Sequence, residues 1–128
     1  MTARVADPGE LEWESWGERA LVRGRAEWKD LIGGEGIALG IGRIAPGEEL
    51  ALHSHPQPEA YLVLAGTASV EIEGEEHRVG AGSAVFIPGG AGHACRNREP
   101  EELRFAFVFA ADSAADVEYD FPAEDGRD

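Results

Sequence analysis

Residues 47–66 read GEELALHSHPQPEAYLVLAG, and residues 82–97 read GSAVFIPGGAGHACRN. Together these stretches supply three histidines and one glutamate: His53, His55, Glu59 and His93. Because side chains two residues apart on a strand share a face, His53 and His55 are expected to point the same way. His93 is expected to reach the same place from another strand, since side chains of neighbouring strands converge inside a narrow barrel.

This residue set predicts a site for one divalent transition metal. Imidazole and carboxylate groups suit Fe, Mn, Ni, Zn, Co or Cu, whereas Ca²⁺ prefers a cage of oxygen ligands. The alternative is a group of ordinary polar barrel residues without a metal. That arrangement would be costly, because four polar groups would be buried together without partners. The residues leave the identity of the ion open, since affinities of first-row metals depend on availability as much as on the ligand set.

The rest of the chain has the pattern of short strands joined by turns. Ile37, Leu39 and Ile41 alternate with small residues, which predicts a half-buried strand. Val70 and Ile72 alternate with acidic residues, and the glycines and prolines fall between such runs. About eight to ten short strands without a clear helix predict an all-β fold, a small antiparallel jelly roll or barrel.

The length of 128 residues predicts one domain. The sequence pattern along the chain divides it into three segments. Residues 1–34 are expected to form an N-terminal arm, residues 35–123 the barrel, and residues 124–128 a frayed tail. The arm contains Trp13 and Trp16, which a small barrel cannot easily bury by itself. We therefore expect the arm to pack on the barrel or on a second subunit, and the chain to form a homodimer.

Composition excludes several classes of partner. A net charge of −14 argues against nucleic acid and anionic membranes, because the protein's field would repel phosphate. The apolar runs are too short to span a bilayer, and the N-terminus lacks a secretory signal pattern, so a cytoplasmic location is expected. The single cysteine, Cys95, excludes an intrachain disulfide. The acidity favours solubility in general, and it would also attract a cationic ligand.

Both stretches resemble, position for position, the two conserved motifs of the cupin superfamily. They follow each other in the expected order and are separated by the 15 residues from Thr67 to Ala81. This resemblance implies the same jelly-roll barrel that the strand pattern predicts. It also implies that the metal ligands are those of the two motifs, His53, His55, Glu59 and His93.

The chain resembles more closely the short, single-domain dimethylsulfoniopropionate (DMSP) lyases among the cupins. The similar residues are Trp28, Ile44-Ala45-Pro46-Gly47, His53, His55, Glu59, Tyr61, His93-Ala94, Asn97, Val117-Glu118-Tyr119 and Phe121-Pro122-Ala123. The resemblance implies that Tyr61 removes the α-proton of a small carboxylate substrate and that Tyr119 lines the pocket. Dimethyl sulfide and acrylate would be the products.

The residues alone leave other functions open. Tyr61 is either a cavity-wall residue with a hydrogen-bonded hydroxyl or a phenol that acts as a base or ligand beside a dication. The chain could be another metal-dependent cupin, such as a dioxygenase or an isomerase of sugars or uronates. It could also bind a small molecule without catalysis. His77 is expected to be a solvated residue and Cys95 a small buried one.

Overall fold

The computed structural model describes residues 4–15, 22–23 and 26–122. This part of the chain contains eleven strands and two short 3₁₀ helices, Pro8–Glu10 and Ala114–Asp116. The strands are β1 (Glu14–Ser15), β2 (Val22–Arg23), β3 (Ala26–Gly34), β4 (Ile37–Ile44), β5 (Glu49–His53), β6 (Glu59–Ala65), β7 (Thr67–Ile72), β8 (Glu75–Gly80), β9 (Ala84–Ile87), β10 (His93–Arg96) and β11 (Leu103–Phe109).

The strands form two sheets. The larger sheet has the order β1-β3-β4-β11-β6-β9, and the smaller has the order β2-β5-β10-β7-β8. Within each sheet, every pair of neighbouring strands is antiparallel. The prediction of an all-β antiparallel jelly roll is confirmed. No helix in the described residues is long and apolar enough to cross a membrane.

The core lies between the two sheets and is dominated by β11. Leu103, Phe105, Phe107 and Phe109 are buried, while the residues between them are half-buried or exposed, as the two-residue period of a strand requires. Successive phenylalanine rings lie 6.4 and 5.5 Å apart. Phe109 in turn contacts His55, with ring centroids 5.1 Å apart, so these aromatic contacts join the centre of the barrel to the end at which the candidate histidines lie.

From Ile37 to Gly42, the small residues of β4 face the core and the large ones face outward, whereas Ile44 at the end of the strand is buried. Gly40 and Gly42 are buried, whereas Ile37 is 62 % exposed. A Cβ atom at Gly40 would lie 2.3 Å from the ring of Phe107, and one at Gly42 would lie 2.6 Å from the ring of Phe105. The phenylalanines of β11 therefore occupy the space that inward-facing isoleucines on β4 would need. The strand is half-buried as the sequence predicts, with the side chains of Ile37, Leu39 and Ile41 on the outer face.

Residues near the N-terminus pack on the barrel of their own chain. The half-buried ring of Trp13 lies 4.0 Å from Arg43 Cζ and 4.7 Å from Lys29 Nζ. Lys29 Nζ also donates a hydrogen bond of 2.6 Å to the carbonyl oxygen of Pro8. Strand β3, within the segment 1–34, pairs along β4 in the larger sheet. Trp16 and residues 124–128 lie outside the described residues, and the segment boundaries at 34 and 123 stay predictions.

Candidate metal centre

An irregularity in β5 turns His53 into the barrel. His53 pairs with His93 and Leu50 pairs with Cys95, so three steps on β5 oppose two steps on β10. This is a β-bulge, which re-aims the side chains that follow it. Strict alternation from buried Leu50 would place His53 outside, yet His53 is only 4 % exposed. The bulge therefore decides which face of β5 presents the first histidine.

The other three residues arrive from different parts of the barrel. His55 lies in the connection after β5, Glu59 begins β6, and His93 begins β10. All are buried. The three histidines offer one ring nitrogen each, and these atoms lie within 4.8 Å of one another. Glu59 Oε1 lies 3.1 Å from His55 Nε2 and 3.3 Å from His93 Nε2. The structure thus brings together all four residues that the sequence nominated.

Each histidine is held by a backbone carbonyl through Nδ1. The acceptors for His53, His55 and His93 are the carbonyl oxygens of Ala51, Gln57 and Ala91, at 2.6, 2.9 and 2.9 Å respectively. Because Nδ1 carries the hydrogen in these contacts, the lone pair is on Nε2. Sequence reasoning did not identify these acceptors, since a backbone carbonyl has no residue signature.

The histidines fit a transition metal ion. Nε2 of His93 is buried and has no hydrogen-bond partner among the described residues, although Glu59 is near. A lone pair left unpaired in a buried site is costly, and coordination of a cation would satisfy it. Burial, and then the neighbouring His93 and His55, lower the pKa of His53 to about 3. His53 is therefore neutral near pH 7, which is the form that binds metals.

Two tyrosines lie beside this centre. Tyr61 is 3 % exposed and stands two residues after Glu59 on the inner face of β6. Burial and then Glu59 raise the pKa of Tyr61 well above its usual value of about 10. The half-buried ring of Tyr119 lies 5.0 Å from the ring of His53 and 5.6 Å from that of His55.

The segment that carries Tyr119 is tied to the first motif. Ser54 and Asp120 exchange two backbone hydrogen bonds of 2.8 Å. Phe121 places its ring 6.4 Å from that of His53. The sequence gives no local signal for this bridge, because its two residues are far apart along the chain.

Comparison with protein families identifies the fold family. The model of the family described as "Cupin domain" matches residues 40–109, which contain all four candidate ligands. The chain belongs to the cupin family. It is also 43 % identical over 105 residues to dimethylsulfoniopropionate lyase DddW of Ruegeria pomeroyi, which covers 78 % of this chain and 68 % of DddW. The resemblance to cupins, and to DMSP lyases among them, is confirmed.

Solved structures support the same fold for this cupin. The polyketide cyclase RemF from Streptomyces resistomycificus superposes with a TM-score of 0.77 at 24 % identity, over 98 % of this chain and 89 % of RemF. A structure from the DMSP lyases RdDddP and RnDddQII gives a TM-score of 0.74 at 21 % identity, over 88 % of this chain and 62 % of that chain. At these identities the likeness concerns the fold.

The remaining candidates of this cupin have simple environments. Burial, and then Glu59, raise the pKa of the Cys95 thiol to about 12, so the thiol is protonated. His77 is exposed on β8, away from both motifs.

A cavity of about 10 Å³, room for about one water molecule, lies between Trp28, Phe107, Ala114 and Tyr119. Trp28 and Tyr119 therefore lie near each other beside the centre.

Proposed function

We propose that this cupin is a metal-dependent lyase that converts DMSP to dimethyl sulfide and acrylate. The observation that carries the proposal is the similarity to DddW across the buried site. A continuous match covering 78 % of a 128-residue chain must include residues 53–93. The similarity therefore spans the three histidines and Glu59, and it also spans Tyr61.

The proposed ligands are His53, His55, Glu59 and His93. The convergence of three Nε2 atoms and the position of Glu59 Oε1 between two of them support this set. A divalent ion bound there would supply positive charge for the substrate carboxylate and acidify the proton on the adjacent carbon. The carbonyl contacts of the three Nδ1 atoms fix the ring orientations before any ligand arrives.

Tyr61 is the proposed general base. Its phenolate, formed after the hydroxyl proton passes to solvent, would take the α-proton and leave an electron pair on the α-carbon. In a second step this electron pair would form the carbon–carbon double bond while the C–S bond breaks and its electron pair leaves with sulfur. The products are neutral dimethyl sulfide, acrylate and one proton, which returns from Tyr61 to solvent. Burial, and then Glu59, raise the pKa of Tyr61, so the phenolate form requires positive charge nearby, which an ion bound at Glu59 would supply.

The surroundings suit a substrate with a positive sulfur. Three aromatic residues lie together beside the centre, Trp28, Phe107 and Tyr119, and aromatic faces attract cations. The net charge of −14 would raise the concentration of a cationic substrate near the protein. These features support binding of the sulfonium group beside the aromatic residues while the carboxylate binds the metal ion.

The test is a headspace assay on purified protein. The protein is stripped with a chelator and reloaded separately with Fe²⁺, Mn²⁺, Ni²⁺, Zn²⁺, Co²⁺ or Cu²⁺, then given DMSP. We expect dimethyl sulfide and acrylate in equal amounts with at least one metal, and none with the stripped protein. Absence of dimethyl sulfide with every metal contradicts the proposal, and oxygen consumption would favour a dioxygenase.

We also propose that the chain forms the homodimer expected from the sequence. Trp13 does not require a partner subunit, because it packs on its own barrel. The support comes instead from the outer face of the larger sheet, where Leu62 and Phe86 are 44 % and 67 % exposed.

A further inference from the structure

The hairpin between β7 and β8 contains a residue that its turn does not favour. Ile72 pairs with Glu75, so the two residues Glu73 and Gly74 connect the strands. Both have a positive φ, 50° at Glu73 and 82° at Gly74. A two-residue hairpin loop with positive φ at both positions is a type I′ turn, in which asparagine followed by glycine is strongly preferred. A long side chain at the first position is uncommon.

The side chain of Glu73 contacts the second motif. Glu73 Oε1 accepts a hydrogen bond of 2.9 Å from the backbone N–H of Gly92. The backbone N–H of Glu73 donates a second bond of 2.9 Å to the carbonyl oxygen of Gly92. Asparagine, the residue that the turn favours, has a side chain one methylene shorter and would lose the first of these contacts. The glutamate therefore serves the contact with Gly92 rather than the turn.

Gly92 shares a peptide group with the carbonyl that holds His93. A trans peptide is planar, and its C=O and N–H point in opposite directions. In the trans peptide between Ala91 and Gly92, the N–H donates to Glu73 and the C=O accepts the Nδ1–H of His93 at 2.9 Å. Rotation of this plane would weaken both bonds. The Glu73 carboxylate is thus linked through one rigid group to the imidazole of His93.

The start of the same loop is fixed by another contact. The backbone N–H of Gly90 donates a bond of 2.8 Å to the carbonyl oxygen of His55, and that of Ala91 donates one of 3.1 Å to Pro88. These bonds hold the loop up to Ala91 against the first motif. The next peptide group, between Ala91 and Gly92, is the one that Glu73 holds.

The carbonyls that hold the other two histidines are fixed in other ways. The acceptor for His53 is the carbonyl of Ala51, which lies within the paired strand β5. The acceptor for His55 is that of Gln57, which stands between two prolines that restrict its backbone. Ala91 precedes β10 and has no proline beside it. A side chain that holds this peptide group is therefore most useful at His93.

We propose that Glu73 is a positioning residue for the metal ligand His93. Its carboxylate fixes the Ala91–Gly92 peptide, and this peptide fixes the imidazole with Nε2 free to bind an ion. Hydrogen bonds in a chain polarise one another, so the carboxylate also makes Nε2 a stronger ligand. The inference rests on the metal centre of the proposed function. It adds a residue that lies in neither motif.

The test uses two substitutions at Glu73 and one control. Glu73→Asn supplies the residue that the turn prefers but shortens the side chain. Glu73→Gln keeps the length and an acceptor oxygen while removing the charge. Glu75→Gln removes the same charge from an exposed residue two positions along the chain. The dissociation constant for Co²⁺ is measured by competition with a chromogenic chelator. Urea unfolding is measured on the chelated protein.

We expect Glu73→Asn to change metal affinity and stability in different directions. The dissociation constant for Co²⁺ should rise by about tenfold, the lower end of the range for loss of a group that orients a ligand. The urea midpoint should stay the same or rise, because asparagine and glycine are the preferred pair in this turn. Glu73→Gln should bind Co²⁺ more tightly than Glu73→Asn, and Glu75→Gln should match the unmodified protein.

A second measurement does not require a metal. Nitrogen-15 magnetic resonance of labelled histidine in the chelated protein reports which ring nitrogen carries the hydrogen. In the unmodified protein we expect the hydrogen of His93 on Nδ1. In Glu73→Asn the fraction with the hydrogen on Nδ1 should fall, because the carbonyl that accepts it is no longer held in place.

Three results would overturn the proposal. One is an unchanged Co²⁺ affinity of folded Glu73→Asn, and another is an unchanged His93 tautomer in that variant. The third is a joint fall of affinity and urea midpoint, which would assign Glu73 to general stability. If the unmodified protein binds no Co²⁺, the metal centre is rejected and the role of Glu73 as its positioning residue with it. Failure of dimethyl sulfide release rejects the lyase reaction alone, since these measurements do not depend on turnover.

Discussion

The two faces of β6 reverse the usual distribution of polar and apolar side chains. On the inner face, Glu59 and Tyr61 are buried with the histidines, while on the outer face Leu62 and Leu64 are 44 % and 50 % exposed. Stability of one chain would favour the opposite arrangement. The proposed metal ion would account for the buried polar groups, and the proposed homodimer would account for the exposed leucines.

The outer face of the smaller sheet contrasts with the outer face of the larger sheet. On the smaller sheet this face carries Arg96, which bonds Glu49 and Glu71 at 2.8 and 2.9 Å. Side chains of this kind keep a sheet face hydrated and discourage association. The outer face of the smaller sheet therefore carries a network of ion pairs around Arg96. The outer face of the larger sheet carries exposed apolar side chains such as Leu62 and Phe86.

The largest effect is expected from removing two inner histidines. His55→Ala combined with His93→Ala leaves too few ligands, so we expect metal content to fall from roughly one ion per chain to background. Lyase activity should be lost with it. Metal analysis by mass spectrometry after dialysis measures the first result, and the headspace assay measures the second.

The matched control is His77→Ala, which removes an exposed histidine of β8 that lies outside both motifs. It should retain the metal and the activity. The double variant should also keep the molecular mass of the unmodified protein, because both substituted side chains are buried inside the barrel. Full metal occupancy in the double variant would show that the ion binds elsewhere.

A smaller effect is expected at Tyr61 itself. Tyr61→Phe keeps the ring and removes the hydroxyl, so turnover should fall by about 10²-fold or more, the scale for loss of a general base. Metal content should not change. Exchange of the substrate α-hydrogen with deuterated water, followed by nuclear magnetic resonance, should disappear with the hydroxyl.

The neighbouring residue supplies the comparison for Tyr61. Leu62→Ala alters the outer face of β6 at the next position, and the intrinsic rate of proton removal should stay near normal. Near-normal turnover of Tyr61→Phe would make the phenol a cavity-wall residue. A different base would then be required.

The smallest effect concerns the stability of the metal-free protein in acid. The pKa of His53 is lowered to about 3 in the folded chain from about 6.5 when unfolded. Between these values the unfolded state binds one more proton, so the free energy of unfolding falls as pH decreases through this window. The contribution is up to about 1.4 kcal/mol per pH unit, and it is absent above pH about 6.5.

Urea unfolding of the chelated protein at a series of pH values measures this slope. His53→Asn should have a shallower slope in the same window, whereas His77→Ala should match the unmodified protein. Equal slopes for His53→Asn and the unmodified protein would assign the acid sensitivity to other groups.

The candidate site could be predicted from the sequence because its residues lie in two short motifs. His53, His55, Glu59 and His93 each have a fixed place relative to glycines and prolines, and the structure brings them together. The carbonyl partners and the Ser54–Asp120 bridge could not be predicted, since backbone groups and distant pairings leave no residue pattern. Tyr119 was expected at the pocket only through the family resemblance.

The sequence by itself determined the fold class, the family and the set of candidate ligands, because alternation, turns and motif spacing are local properties. Only the tertiary structure decided which way the strands face. The large residues at the start of β4 point outward because two phenylalanine rings of β11 occupy the space over Gly40 and Gly42. Strand β11 is the neighbour of β4 in the sheet but lies far from it along the sequence. His53 points inward because a bulge in its pairing with β10 shifts the alternation by one residue. A two-residue period fixes which side chains share a face, but packing between strands far apart in sequence fixes which face is inside.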